Sequence, residues 1–205
     1  MSPTLFNNPN FPTFLICLLA DFMAFTGIYI PYTHLPPLAE FRNISSTDAA
    51  FLISAGGISN TFGRFLGGWL CDQPAIHPFL VTILSVGLTI IPSFIIPRIV
   101  AYRSFISMFS VFGLATGCTM GSTSPLLLRL LGLKALSQTF GLITASRGIA
   151  ALVGPPLAGL LVDLLDEPGI AIDLVGFLEI LALFFYIIAV GRNRVVQRRR
   201  NYQQL

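Results

Sequence analysis

Charged side chains are scarce in this chain. Asp, Glu, Lys and Arg account for 10% of its 205 residues, whereas a globular domain usually contains about 25%. Hydrophobic residues account for 54%, and the mean hydropathy is +0.80. Such a chain cannot cover a water-facing surface with polar groups, which argues against intrinsic disorder, a nucleic-acid-binding module and an ordinary soluble enzyme.

Residue types that build catalytic and metal centres are also few. The three cysteines, Cys17, Cys71 and Cys118, lie in or beside apolar stretches without CxxC spacing, so we interpret them as small packing residues. The two histidines, His34 and His77, have no partner motif, and the chain contains no GxSxG, HExxH or phosphate-binding loop. We therefore expect neither an enzyme nor a cofactor or metal site.

Long apolar runs dominate what is present. Each run is about the 20 residues that a helix needs to cross a bilayer, and each is continuous rather than alternating, which favours helices over a β-barrel. The sequence predicts an all-α membrane protein with six transmembrane helices over residues 11–32, 47–71, 76–97, 104–128, 137–162 and 171–190. Residues 1–10 would be a cytoplasmic N-terminal segment, 11–191 the bundle, and 192–205 a basic cytoplasmic tail that anionic lipid attracts.

The basic residues outside the spans predict an orientation. An even number of spans places both termini on one side, and short loops rich in Lys and Arg stay in the cytoplasm. The side of the termini carries seven basic residues, namely Arg129, Lys134, Arg192, Arg194, Arg198, Arg199 and Arg200, and the other side carries three, namely Arg42, Arg98 and Arg103. We therefore expect both termini to be cytoplasmic.

Four ionisable residues fall inside the predicted spans: Asp21, Arg64, Arg147 and Glu179. Such groups are costly in hydrocarbon and usually face a bundle interior or a water-filled path. Arg147 lies near mid-bilayer, where it could contact substrate or form a structural ion pair. Arg64 could instead extend to the interface. Asn60 lies four residues before Arg64 and so shares its helix face, which supports the hypothesis that Arg64 binds an anionic substrate and that Asn60 orients or contacts it.

Small residues recur at four-residue spacing in the spans. Gly63 and Gly67 form one such pair, and Gly113, Gly117 and Gly121 form another series. Small residues at this spacing allow helices to approach closely, so the pattern predicts tight helix packing.

Two segments carry a resemblance to a known family. Residues 63–72 read GRFLGGWLCD, and the pattern from Gly68 to Asp72 resembles the cytoplasmic loop motif of the major facilitator superfamily. Residues 147–159 read RGIAALVGPPLAG, and this stretch, with Gly154, Pro155 and Pro156, is similar to the eleventh helix of the monocarboxylate transporter family. Residues 25–31 and 48–52 are similar to the seventh and eighth helices of that family.

The resemblance covers nearly the whole chain and implies the C-terminal half of a twelve-helix carrier. It implies secondary active or facilitative transport of small organic anions, with monocarboxylates as the leading candidates, by alternating access in the plasma membrane. Six helices form only one wall of a central site, so the partner would be the N-terminal half or a second copy of the chain.

The resemblance also implies site residues. The family has an Asp-x-x-x-Arg pair on its eighth helix, and here Asn60 stands at the aspartate position before Arg64. An amide cannot titrate, so Asp21 becomes the candidate for proton coupling. Thr116 matches a pocket hydroxyl on the tenth helix, and Phe112 precedes it by one turn. The expected substrate-binding set is Arg64, Asn60, Arg147, Phe112 and Thr116.

Two alternatives remain at this point. A membrane scaffold or regulatory subunit without transport activity would have the same composition. A membrane-embedded enzyme is less well supported, because the spans lack a His or Cys cluster and lack an acid pair within one span.

Overall fold

The computed structural model describes residues 8–203, with side chains through residue 197, and this region consists of helices joined by short loops. The helices are α1 (Phe11–Ile28), α2 (Ile30–Phe41), α3 (Ser46–Asp72), α4 (Pro78–Ile95), α5 (Tyr102–Leu131), α6 (Leu133–Leu165) and α7 (Ile170–Gln203). A 3-10 turn, Ile96–Arg98, extends α4.

Within the described residues, five spans are long and apolar enough to cross a membrane: Phe11–Phe41, Pro78–Arg98, Tyr102–Leu131, Leu133–Leu165 and Ile170–Gln197. The remaining long helix, α3, is not among these five. It has 27 residues and a length of about 40 Å, which exceeds the thickness of the bilayer core. Its glycines and polar residues lower its hydropathy, and two of these glycines, Gly63 and Gly67, meet the backbone of α5 at close range. The architecture is that of a six-span α-helical membrane bundle, as the sequence predicted.

Two boundaries differ from the sequence prediction by more than a few residues. The first span continues to Phe41 instead of ending near residue 32, with a break at Tyr29, where the backbone N–H bonds Gly27 O and Pro31 follows. Proline has no N–H for the helical ladder, so the chain interrupts and restarts there as α2. The last span was predicted to end at residue 190, but α7 continues to Gln203, so the basic segment extends this helix.

The prediction for the N-terminal segment falls mostly on residues 1–7, which lie outside the described part of the chain. Its last residues contact the bundle. The amide of Asn10 donates to the carbonyl of Leu130 at 2.9 Å, and that of Asn8 donates to Leu131 at 3.4 Å. The start of α1 and the end of α5 therefore lie at the same end of the bundle.

The tightest helix contact joins α3 and α5. A Cβ atom built on Gly63 would collide with the carbonyl of Leu114, and one on Gly117 would collide with the carbonyl of Asn60. Gly113 and Gly121 meet the backbone of α3 in the same way. The predicted close packing of the glycine series is confirmed, because only a missing side chain allows the two backbones to approach so closely.

Three apolar clusters lie in the described part of the bundle interior, and the two larger ones divide it. One contains Phe14, Phe79 and Tyr186, and the other contains Phe105, Phe109 and Val175. Along α7, Glu179 falls between the residues of the first cluster and those of the second, and along α6 Arg147 does the same. The buried ionisable groups thus lie where the two clusters meet.

Candidate functional site

An ion pair joins Asp21 on α1 to Arg147 on α6. The guanidinium donates from Nε to Asp21 Oδ2 at 2.9 Å and from Nη2 to Oδ1 at 2.6 Å. Nη2 also donates to Thr123 Oγ1 of α5 at 2.7 Å, and the guanidinium carbon lies 3.9 Å from the centre of the Phe25 ring. Two parallel charge-assisted bonds hold this fork in one orientation.

The ion pair changes the role that Arg147 has in this conformation. Its side chain is 13% exposed and that of Asp21 is 3% exposed, so the two charges neutralise each other away from water. We expected Arg147 to contact substrate or to form a structural ion pair, and the ion pair is the arrangement present here. The sequence did not identify Asp21 as its partner, because the two residues are 126 positions apart.

A second polar group links α3 and α5. Arg64 donates from Nε to Asn60 Oδ1 at 3.0 Å, so the expected shared helix face is confirmed. Asn60 in turn donates from Nδ2 to Thr116 Oγ1 at 3.0 Å and to the carbonyl of Gly113 at 3.3 Å. Asn60 orients the arginine as an aspartate would but adds no negative charge. The positive charge of Arg64 is therefore not neutralised by this neighbour, and its side chain is exposed.

The other two expected substrate contacts are buried. Thr116 is fully buried and donates to the carbonyl of Gly113 at 2.9 Å, so it positions Asn60 rather than facing an open surface. Phe112 is 1% exposed and stacks on Phe109, with ring centroids 5.8 Å apart, inside the apolar cluster that contains Phe105 and Val175. In this conformation only Arg64 of the five predicted contacts presents an exposed side chain.

The residues of the two family-like segments differ in whether they contact another helix. Asp72 is the last residue of α3 and is exposed, and the space beside Gly68 where a Cβ would lie is open. Gly154 is a contact position, because a Cβ there would meet the carbonyl of Thr26 on α1. Pro155 and Pro156 lie inside α6 immediately after this contact.

Glu179 is the buried group to which sequence reasoning gave no role. It is 1% exposed, and neither carboxyl oxygen has a hydrogen-bond partner within the described residues. The sequence showed only that an acid lies inside an apolar span. It could not show the neighbours of Glu179, because they come from other helices.

Among the described residues, no group of three or more His, Cys, Asp or Glu side chains is placed to hold a metal ion. The three cysteines are free and buried.

Comparison with known proteins agrees with this architecture. Residues 2–155 match the sequence model described as Major Facilitator Superfamily. Human "Monocarboxylate transporter 14" is 28% identical over 201 residues, which is 97% of this chain and 38% of the relative. Mouse "Monocarboxylate transporter 10" is 30% identical over 157 residues, or 75% of this chain and 30% of the relative.

Human "Monocarboxylate transporter 7" is 30% identical over 153 residues, or 74% of this chain and 29% of the relative. The chain thus spans less than half the length of these relatives, whose names describe transporters and not enzymes. With six helical spans and this family match, the chain has half of the superfamily fold. It is a multi-pass integral membrane protein that belongs to the Major Facilitator Superfamily, in the monocarboxylate transporter family.

Proposed function

We propose that the chain forms one half of a carrier that moves small organic anions across a membrane, with monocarboxylates as the leading candidates. The observation that carries this proposal is Arg64. Its guanidinium is exposed on a membrane-spanning helix and is held at Nε by Asn60, a neutral acceptor. An uncompensated positive charge in a weakly solvated setting attracts an anion strongly.

The geometry of Arg64 also suits a carboxylate. Because Asn60 engages Nε, the side chain is oriented while its terminal nitrogens remain available for two parallel bonds. Thr116 and the Gly113 carbonyl hold Asn60 in turn. The substrate-binding role therefore belongs to Arg64, and Asn60 and Thr116 are positioning residues.

Proton coupling is assigned to Asp21 through its contact with Arg147. A proton on Asp21 would remove the negative charge that holds the guanidinium and would free Arg147 for a substrate carboxylate. The carboxylate of the protein and that of the substrate would then compete for one fork, so that a proton and an anion bind together. This competition gives Arg147 its substrate-binding role in a second conformation.

A second six-helix unit completes the carrier in this proposal. Alternating access moves one half against the other around a site between them, and six helices supply one wall. The second unit would be an N-terminal half or a second copy of this chain. We place the carrier in the plasma membrane with both termini in the cytoplasm, since the end of the bundle with the termini carries most of the basic residues.

The test is uptake of labelled lactate or pyruvate into liposomes that contain the chain, alone and together with the six N-terminal helices of a relative. We expect Arg64→Gln to lower uptake roughly tenfold or more, because it removes charge-assisted bonds to the anion. Arg64→Lys keeps the charge without the fork and should give a smaller loss. Arg103→Gln, at an exposed position at the start of α5, is the matched control.

Equal uptake by the wild type and Arg64→Gln would refute the role of Arg64. A folded chain that shows no flux in either preparation would favour the alternative function, a membrane scaffold or regulatory subunit.

A further inference from the structure

Glu179 is a buried acid in the bundle interior without a hydrogen-bond partner among the described residues. It lies nine residues after the start of α7, or about 14 Å along the helix, and so near the middle of a bilayer. The side chain is 1% exposed, and neither oxygen accepts a hydrogen bond from any group that the structure describes. An ionised carboxylate without a donor or a counter-ion is among the most costly groups to bury.

The neighbouring hydroxyl offers an acceptor rather than a donor. The hydroxyl of Thr89 on α4 lies near Glu179, but its geometry does not make a hydrogen bond to either carboxyl oxygen. Its single hydroxyl hydrogen goes to the carbonyl of Val86 at 2.6 Å, so only the lone pairs of Thr89 Oγ1 remain. Lone pairs can accept from a carboxylic acid but cannot stabilise a carboxylate. The local hydrogen-bond inventory therefore matches the protonated form of Glu179.

The charged side chains near Glu179 are already paired with each other. Asp21 on α1 is the acid whose negative charge repels a charge on Glu179. Arg147 of α6 makes a bidentate pair with this Asp21. Tyr186 lies two turns along on the same helix, and Cys17 of α1 lines a small cavity with Tyr186 and Asp21. α4 contributes hydroxyls but no ionisable residue.

The remaining ion pair near α7 lies at the helix start. Arg98, in the 3-10 turn, donates to Asp173 at 2.7 Å, and the Arg98 side chain is largely exposed. Asp21 and Arg147 together are neutral, so Glu179 is the buried acid in this layer that has no counter-ion among the described residues.

We propose that Glu179 is a proton-binding site of the transport cycle, distinct from Asp21, and that it holds its proton in the conformation described here. This inference rests on the proposed carrier function. Binding forms one O–H bond on the carboxylate with a proton from a hydronium ion, which leaves water, and release breaks that bond and passes the proton back to a water molecule as hydronium. A small cavity of about 10 Å³, lined by Asp21 and Tyr186 but not by Glu179, has room for about one water molecule.

Infrared difference spectroscopy of the purified chain in lipid nanodiscs tests the protonation directly, without any transport. We expect the wild type to show the carbonyl band of a protonated carboxylic acid in the membrane interior, and we expect this band to fade as the pH is raised. Glu179→Gln should remove the band. Glu167→Gln, the same change in an exposed loop, should leave it in place.

Two results of this measurement would overturn the proposal. If the band persists in Glu179→Gln, the proton resides elsewhere. If the band belongs to Glu179 but does not respond to pH while the protein remains folded, the acid is permanently neutral and takes no part in a cycle.

A transport measurement separates this inference from the carrier function itself. Liposomes that contain the chain, alone and together with the six N-terminal helices of a relative, are assayed for exchange of labelled lactate at equal pH and for accumulation driven by a pH gradient. We expect Glu179→Gln to retain exchange and lose accumulation. Unchanged accumulation would contradict the role of Glu179, whereas absence of exchange in the wild type would contradict the carrier function and leave the infrared result to decide on Glu179.

Discussion

Two buried acids of this protein differ in whether a basic side chain neutralises their charge. Asp21 has a guanidinium partner with two bonds, while Glu179 has no partner within the described residues. Sequence alone gave both residues the same description, an acid inside an apolar run. The difference depends on which side chains of other helices reach them, and this information is absent from either local sequence.

The Asp21–Arg147 pair predicts a large asymmetry between single and double substitutions. Asp21→Ala leaves a buried guanidinium without its counter-ion and should destabilise the protein by about 3–5 kcal/mol. Asp21→Ala combined with Arg147→Met removes both charges and should recover most of that loss. Unfolding in detergent, followed by circular dichroism with denaturant, measures both. A double variant no more stable than Asp21→Ala would show that the ion pair is not what stabilises this contact.

At the scale of helices, packing between α3 and α5 depends on where the missing side chains fall. The four-residue spacing predicted close approach, and the structure confirms it for Gly63 and Gly117. Glycines outside these series need not be contact positions. Gly57, in the same helix as Gly63, has open space where a Cβ would lie.

Matched alanine substitutions in α3 test this contact. Gly63→Ala places a methyl group against the carbonyl of Leu114, a backbone atom that cannot turn aside, and should cost about 1–3 kcal/mol. Gly57→Ala is the same chemical change without a neighbour and should be neutral or slightly stabilising. Unfolding temperatures of the two variants in detergent give the comparison. Equal temperatures would contradict the close helix contact.

The start of α4 predicts a pH dependence of stability. His77 precedes the helix, and its Nδ1 accepts from the backbone N–H of Phe79 at 3.2 Å. Partial burial, together with the positive charges of Arg129 and Arg194, lowers the pKa of His77 below its usual value of 6.5. The unfolded chain then binds more protons than the folded chain at mildly acidic pH, so stability is lost as the pH falls from about 6.5 through the folded pKa.

The variant His77→Asn checks this expectation, because asparagine can cap the helix without titrating. The unfolding temperature of the wild type should fall between neutral and mildly acidic pH, and the variant should lose that part of the fall. If both proteins show the same pH dependence, His77 does not control it.

For the whole molecule, the arrangement of spans predicts the location of the termini. The start of α1 and the end of α5 lie at one end of the bundle, since Asn10 contacts the carbonyl of Leu130. The six spans place the end of α7 at that same end. The basic residues predict that this end is cytoplasmic.

Epitope tags at the two termini measure this orientation in cells. We expect both tags to be detected only after the plasma membrane is permeabilised. Detection of either tag on intact cells would contradict the orientation, and detection of one tag alone would also contradict an even number of spans.

The sequence by itself determined that this chain belongs in a membrane, because hydropathy and run length are local properties, whereas the glycine-rich α3 is less apolar than the other five spans. The sequence also placed Arg64 and Asn60 on one helix face, since residues four apart in a helix are neighbours by geometry. Its boundaries were less certain where helices extend beyond the apolar run, as at the ends of α2 and α7.

Only the tertiary structure decided what the buried charges do. Arg147 and Asp21 are 126 positions apart, and no local pattern identifies them as a pair. Phe112 and Thr116 proved to be buried because α3 and α5 approach closely at their glycines. Charge compensation and burial are set by the side chains that separate helices bring together, and that is why the sequence could name the ionisable groups but not their partners.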